Sequence, residues 1–132
     1  MIENFEKITK RLTNREVSQI PKVVKLLKGI KKKSPIKEQE LLELINGRIN
    51  DFNINGVKLR QIINYIRSNS LLSVIATSKG YYVSSDVVEI EKQIVSLQNR
   101  IDRLECAKKG MQEILNKINS KFMMLGFQVG LK

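Results

Sequence analysis

The apolar positions of this chain change period twice, and each change marks a different kind of element. Val17, Ile20, Val23, Val24, Leu27 and Ile30 recur at spacings of three and four, the stripe of a helix with one buried face. Thr13 and Glu16 frame its start as a capping box, and Gly29 with the run Lys31 to Lys33 marks its end. Pro21 lacks a backbone donor and must kink this helix or restart it. A second helix is predicted over residues 36–48, with Ser34 as cap, Pro35 at the first helical position, and Leu41, Leu42, Leu44, Ile45 and Ile49 as its apolar stripe. Asn50, Asp51 and Asn53 are turn residues, and Asn55 is placed to cap a third helix.

At about 100° per residue, Leu59, Ile62, Ile63 and Ile66 of the third helix share one narrow arc, while Arg60, Gln61, Asn64, Arg67 and Ser68 lie opposite. The period then drops to two. Leu72, Val74 and Ala76 alternate with Ser73, Ile75 and Thr77, and Gly80 permits a positive φ where the chain reverses into Tyr81, Tyr82 and Val83. This is a short hairpin with Lys79 at its tip.

From Val87 the period becomes seven. Val87, Ile94, Ile101, Lys108, Leu115 and Phe122 occupy one seam position, and Ile90, Leu97, Leu104, Met111, Ile118 and Leu125 the other, so that eleven of twelve are apolar. A straight helix of this length rises about 58 Å, against a diameter of roughly 30 Å for a head of about 85 residues, so the head cannot cover it. Isoleucine at one seam position with leucine at the other over residues 94–104 favours two parallel strands, with Arg100 and Glu105 placed for an interchain pair. Ile90, Ile94, Leu97, Ile101, Leu104, Met111, Leu115 and Ile118 are therefore the candidate oligomerisation residues. The competing arrangement is a helical hairpin broken at Lys109-Gly110, against which the register runs unbroken through the glycine.

The pattern thus divides the chain into a polar lead (1–12), a head (13–85), a coiled-coil helix (86–125) and a tail (126–132). In the tail, Phe127, Val129 and Leu131 alternate with Gln128 and Gly130, as in a docking strand or a frayed end. The fold class expected is mainly α with a small β-hairpin, a winged helix-turn-helix head followed by a long C-terminal coiled-coil helix.

Charge sharpens this picture. Lys and Arg number 24 against 13 Asp and Glu, a net charge of +11, and polyanions are the natural partners of such a field. The excess is +8 over residues 1–86 (16 basic, 8 acidic) and +3 over the remainder (8 basic, 5 acidic), so it concentrates on the head. One cysteine and no histidine exclude an intramolecular disulfide and a zinc site of the usual Cys/His type. No apolar run reaches the roughly 18–20 residues that cross a bilayer, and the first twelve residues are too charged for a signal peptide, so a soluble, cytoplasmic protein is expected. Without histidine, a glycine-rich phosphate loop or paired carboxylates, no enzyme, cofactor or metal is expected either.

The order of a basic helix followed at once by a basic hairpin is how a winged helix presents a reading helix and a wing to duplex DNA. Gln61 and Asn64 have the chemistry to pair bidentately with adenine, and Lys58, Arg60 and Arg67 lie at the helix edges for guanine or phosphate. Lys79 would approach the minor groove or a phosphate. Lys22, Lys25, Lys28 and Lys31 recur at spacing three and, with Lys32 and Lys33, form a candidate phosphate grip. Each feature has a plainer reading as a solvated surface. Tyr81 and Tyr82 would stack bases in a single-strand or RNA binder, whereas adjacent strand residues ordinarily put one ring inside and one outside.

The stretch NGVKLRQIINYIRSNSLLSVIATSKGYYVSSDVVEIEKQIVSLQNRI resembles the winged-helix proteins of small phage DNA-binding families, most specifically at Leu59-Arg60, residues 63–67 and residues 78–82. That resemblance implies a phage or prophage origin and DNA binding in a bacterial host cell. It does not extend past Arg103. The expected function is a regulator of phage transcription or replication, acting as a parallel dimer whose two reading helices meet successive major grooves about 34 Å apart. The rival is an assembly protein whose coiled coil and tail bind other phage or host proteins while the basic head neutralises genome.

Overall fold

The structure is a computed structural model and describes residues 12–124; the predicted polar lead up to Arg11, the seam residue Leu125 and the tail 126–132 lie outside the described residues. It is mainly helical, with a small two-stranded antiparallel hairpin and a long C-terminal helix. The described residues up to Gln93 form one compact unit and those from Ile94 a second.

The first predicted helix is two. α1 (Asn14–Ser18) opens with the full capping box, the Thr13 hydroxyl accepting from the Glu16 amide while the Glu16 carboxylate accepts from the Thr13 amide. α2 (Ile20–Lys28) restarts after Gln19 with Pro21 in its first turn, where a missing donor costs nothing. Ile20, Val23 and Leu27 of α2 are buried.

α3 (Glu38–Arg48) corrects the expected start at residue 36. Ile36 is extended and exchanges both backbone bonds with Tyr81, its amide donating at 2.9 Å and its carbonyl accepting at 2.8 Å. Lys37 becomes the N-cap and gives no side-chain cap bond, so Ser34 and Pro35 do not open the helix. α4 (Gly56–Ser68) is capped by Asn55, whose side chain accepts from the Lys58 amide. Its buried residues are Leu59, Ile62, Ile63 and Ile66, the predicted arc. Between α3 and α4, Asn46 bonds the Ile54 carbonyl at 3.0 Å and its amide at 2.9 Å, and Phe52 and Ile54 enter the core from the loop. α4 ends in a Schellman turn, with the Leu71 amide donating to the Ile66 carbonyl and Ser70 at φ 56° in the left-handed region.

The hairpin pairs β1 (Val74–Thr77) with β2 (Gly80–Val83) in the register Val74 with Val83 through Thr77 with Gly80, turning at Ser78-Lys79. In an antiparallel pair, alternate residues direct their backbone groups outward, and here both outer edges are covered. On the β2 side, Tyr81 meets Ile36 and the Val83 amide donates to the Ile30 carbonyl at 3.0 Å. On the β1 side, the Arg67 guanidinium donates to the Val74 carbonyl at 2.9 and 3.1 Å, and the Ala76 amide donates to Gln93 Oε1 at 3.0 Å.

α5 (Val87–Met124) is one helix of 38 residues that runs without a break through Gly110. The helical hairpin is therefore excluded. Its first two turns belong to the first unit: Ile90 packs against the core and Gln93 is buried. The compact head thus reaches past residue 85 into α5, and Ile90, expected in the seam, is half-buried against the head core. No helix of the described residues is long and apolar enough to cross a membrane.

Gly80 is the residue on which this junction turns. Its φ is +130°, and a β-carbon there would stand 2.6 Å from the Ile36 carbonyl oxygen. Gly80→Ala is expected to cost roughly 2–5 kcal/mol from backbone strain and overpacking together, measured by urea denaturation; an unchanged midpoint would show that the Ile36 contact is not a constraint.

Candidate nucleic-acid interface

The polar arc of α4 is not uniform once its neighbours are in place. Lys58 lies 3.2 Å from Glu16, with 22% and 19% of the two side chains exposed, and ties α4 to α1. Burial raises the Glu16 pKa, but the bonds from Thr13 and Lys58 outweigh it and leave the carboxyl below its ordinary value. Arg67 is spent on the Val74 carbonyl. Both were expected at the edges of a DNA contact, and the structure gives them bracing roles.

Gln61 is half-buried, with Oε1 enclosed and no hydrogen-bond partner. It lines a cleft of about 420 Å³ with Leu12, Val17, Asn64 and Tyr65. A bidentate contact to adenine needs both amide atoms, and in this conformation only one is presented. Asn64, one turn on, is exposed and carries the same chemistry outward. Val57 is 52% exposed, and its helical angle places it on the arc of Asn64 and Ser68. Periodicity had no reason to single it out, because an apolar residue at the start of a helix is ordinarily assigned to the core.

Arg60 is exposed and donates to Glu38 Oε1 at 3.0 Å. Glu38 has room because Gly56 has no side chain; a β-carbon there would stand 2.9 Å from the same oxygen. Glu38 also lines a cleft with Lys37, Thr77, Ser78, Gly80 and Tyr81. Through Glu38 the cationic group of α4 and the hairpin turn come into one neighbourhood. Lys79 is exposed at that turn, its amide donating to the Thr77 hydroxyl at 3.2 Å.

Lys22 and Lys25 are exposed on α2 and have no ion pair among the described residues. Lys32 differs, with its ammonium 2.7 Å from Glu89 at the start of α5. That pair raises the Lys32 pKa and holds the Glu89 carboxyl below its ordinary 4.5. Tyr82 beside it is buried, and burial pushes its hydroxyl pKa up. With Tyr82 inside and Tyr81 half-buried, the pair does not form a stacking platform for single strands.

Comparison with protein-family models, with curated proteins and with solved structures gives no match to this chain.

The Lys32–Glu89 pair has a definite pH signature. Folding lowers the Glu89 pKa, so its stabilisation is complete above the ordinary 4.5 and is lost as the pH falls through the lower folded value. Folding raises the Lys32 pKa, so that contribution is complete below the ordinary 10.5 and is lost as the pH rises through the higher folded value. Glu89→Gln should therefore lower the melting temperature at neutral pH, with the deficit closing in acid below 4.5. A deficit independent of pH would assign the loss to packing.

Proposed function

We propose that the head is a winged helix-turn-helix that binds double-stranded DNA, with α4 in the major groove and the β1–β2 hairpin as the wing. The observation that carries this reading is the extended Ile36, paired with β2 between α2 and α3. It makes the order of the head helix, helix, extended bridge, helix, helix, strand, strand, with a one-residue β-bridge joining the segment between α2 and α3 to the hairpin and the last of these helices immediately before it. That order supports a winged helix over a plain helical bundle that happens to carry a hairpin.

The chemistry of the exposed arc fits the same reading. Asn64 offers the donor and acceptor that match adenine, Arg60 has a planar fork for guanine, and Val57 suits the thymine methyl. Glu38 accepts one hydrogen bond from the Arg60 guanidinium at 3.0 Å, and any orientation this pair favours would lower the entropy lost when Arg60 meets a base edge. Lys79, Lys22 and Lys25 would neutralise phosphates without reading sequence. Nothing in this division of labour requires a bond to be made or broken. The chain would act by occupying DNA, and its resemblance to phage winged-helix proteins points to regulation of phage transcription or replication.

Selection from a random duplex pool followed by fluorescence anisotropy tests the proposal. Asn64→Ala should reduce discrimination at one base pair by about 1–3 kcal/mol while leaving weak binding in place. Lys25→Ala should weaken every sequence alike and reduce the slope of log affinity against log salt by about 0.9. A parent protein with no sequence preference, or with affinity indifferent to salt, would overturn it.

A further inference from the structure

The described residues of the second unit carry an apolar stripe that none of them covers. On α5, Ile94 is 59% exposed, Leu104 71%, Met111 69% and Ile118 45%. Monomeric proteins rarely present so long a contiguous apolar strip to water. The strip repeats every seven residues, so it follows the surface of a supercoiled helix and of little else, because only knobs packed into holes keep such a seam buried along its length. Gly110 does not interrupt it, since the helix is continuous there. The partner is therefore another helix with the same repeat, and a second copy of this chain has one.

The residues beside the seam decide how that copy is oriented. With the two seam positions labelled a and d, the e positions are Glu91, Gln98, Glu105, Gln112 and Asn119, and the g positions are Gln93, Arg100, Ala107, Ile114 and Lys121. Every charge at e is acidic and every charge at g is basic. Antiparallel helices place e against e and g against g, so any charged pair they form is of like sign. Parallel helices place g against the e of the next heptad, which brings Arg100 to Glu105 of the second copy twice by symmetry.

Strand number follows from the seam itself. Ile94 with Leu97 and Ile101 with Leu104 put a β-branched residue at a and leucine at d, the order that favours two strands. Leu115 with Ile118 reverses the order and would favour more. Lys108 stands in the layer between these two halves, and each further strand would add another ammonium to that layer, so it opposes a third helix. We infer that residues 94–118 of α5 pair with the same residues of a second copy as a parallel, in-register, two-stranded coiled coil. Cys106 falls at the outward f position and is exposed, so no interchain disulfide belongs to the interface.

Sedimentation equilibrium of the full chain across the micromolar range should give a dimer, and a monomer or a trimer would overturn the proposal. Orientation is read with two variants in a Cys106→Ser background, Leu97→Cys and Ile118→Cys, under mild oxidation. A parallel, in-register pair cross-links at both positions. Antiparallel helices bring identical residues together at one point at most, so cross-linking at only one position, or at neither, would overturn it. Lys108→Ile should tighten association roughly tenfold or more, and an unchanged dissociation constant would contradict the placement of Lys108 in the seam. None of these measurements contains DNA, so their failure leaves the reading of the head separately testable.

Discussion

A hairpin of two four-residue strands is marginal in water by itself, and in this protein it persists because the rest of the head closes both of its edges. Ile36 and Ile30 bond the Tyr81 backbone and the Val83 amide of β2, while Arg67 and Gln93 bond the Val74 carbonyl and the Ala76 amide of β1. These four residues come from the segment between α2 and α3, the end of α4, and the start of α5. The hairpin is the place where otherwise separate parts of the chain meet. Each bond is modest alone, but an unpaired buried amide or carbonyl would cost about 1–3 kcal/mol, so the set holds cooperatively.

The same arrangement explains why the cations of the head fall into two groups. Lys58, Arg67 and Lys32 look in the sequence like members of a basic face, yet each is bonded to a specific acceptor: Glu16, the Val74 carbonyl and Glu89. They fix α1, β1 and α5 to their neighbours. Lys22, Lys25 and Lys79 are exposed and form no ion pair among the described residues. Arg60 stands between the groups, exposed but steered by Glu38. On the proposed reading, this separation leaves a rigid helix and wing with a small number of mobile cations in front of them.

Much of this was legible from local chemistry. The Thr13–Glu16 box, the Asn55 cap, the buried arc of α4 and the turn before Gly80 are each set by residues within a few positions of one another, and all appear as expected. What was not legible depends on distant partners. Ser34-Pro35 is a sound local signal for a helix start, and it loses to the pairing of Ile36 with Tyr81, which is far along the chain. Arg67 and Gln93 bond backbone groups, which leave no trace in residue identity, so neither could be recognised as an edge cap. Gln61 sits at the margin of its arc, and Leu12 and Val17, distant in sequence, line the cleft it enters. Phe52 and Ile54 are core residues within a loop, a placement that the turn residues around them do not reveal.

The central claim is that the exposed arc of α4 and the hairpin turn together meet duplex DNA. The most direct measurement is a titration of ¹⁵N-labelled protein with its selected duplex, followed by amide chemical shifts. The account predicts that the largest changes fall on residues 57–68 and 77–80, with the α5 amides beyond Ile94 little altered. Changes confined to α5, or none in α4 at saturating duplex, would contradict it.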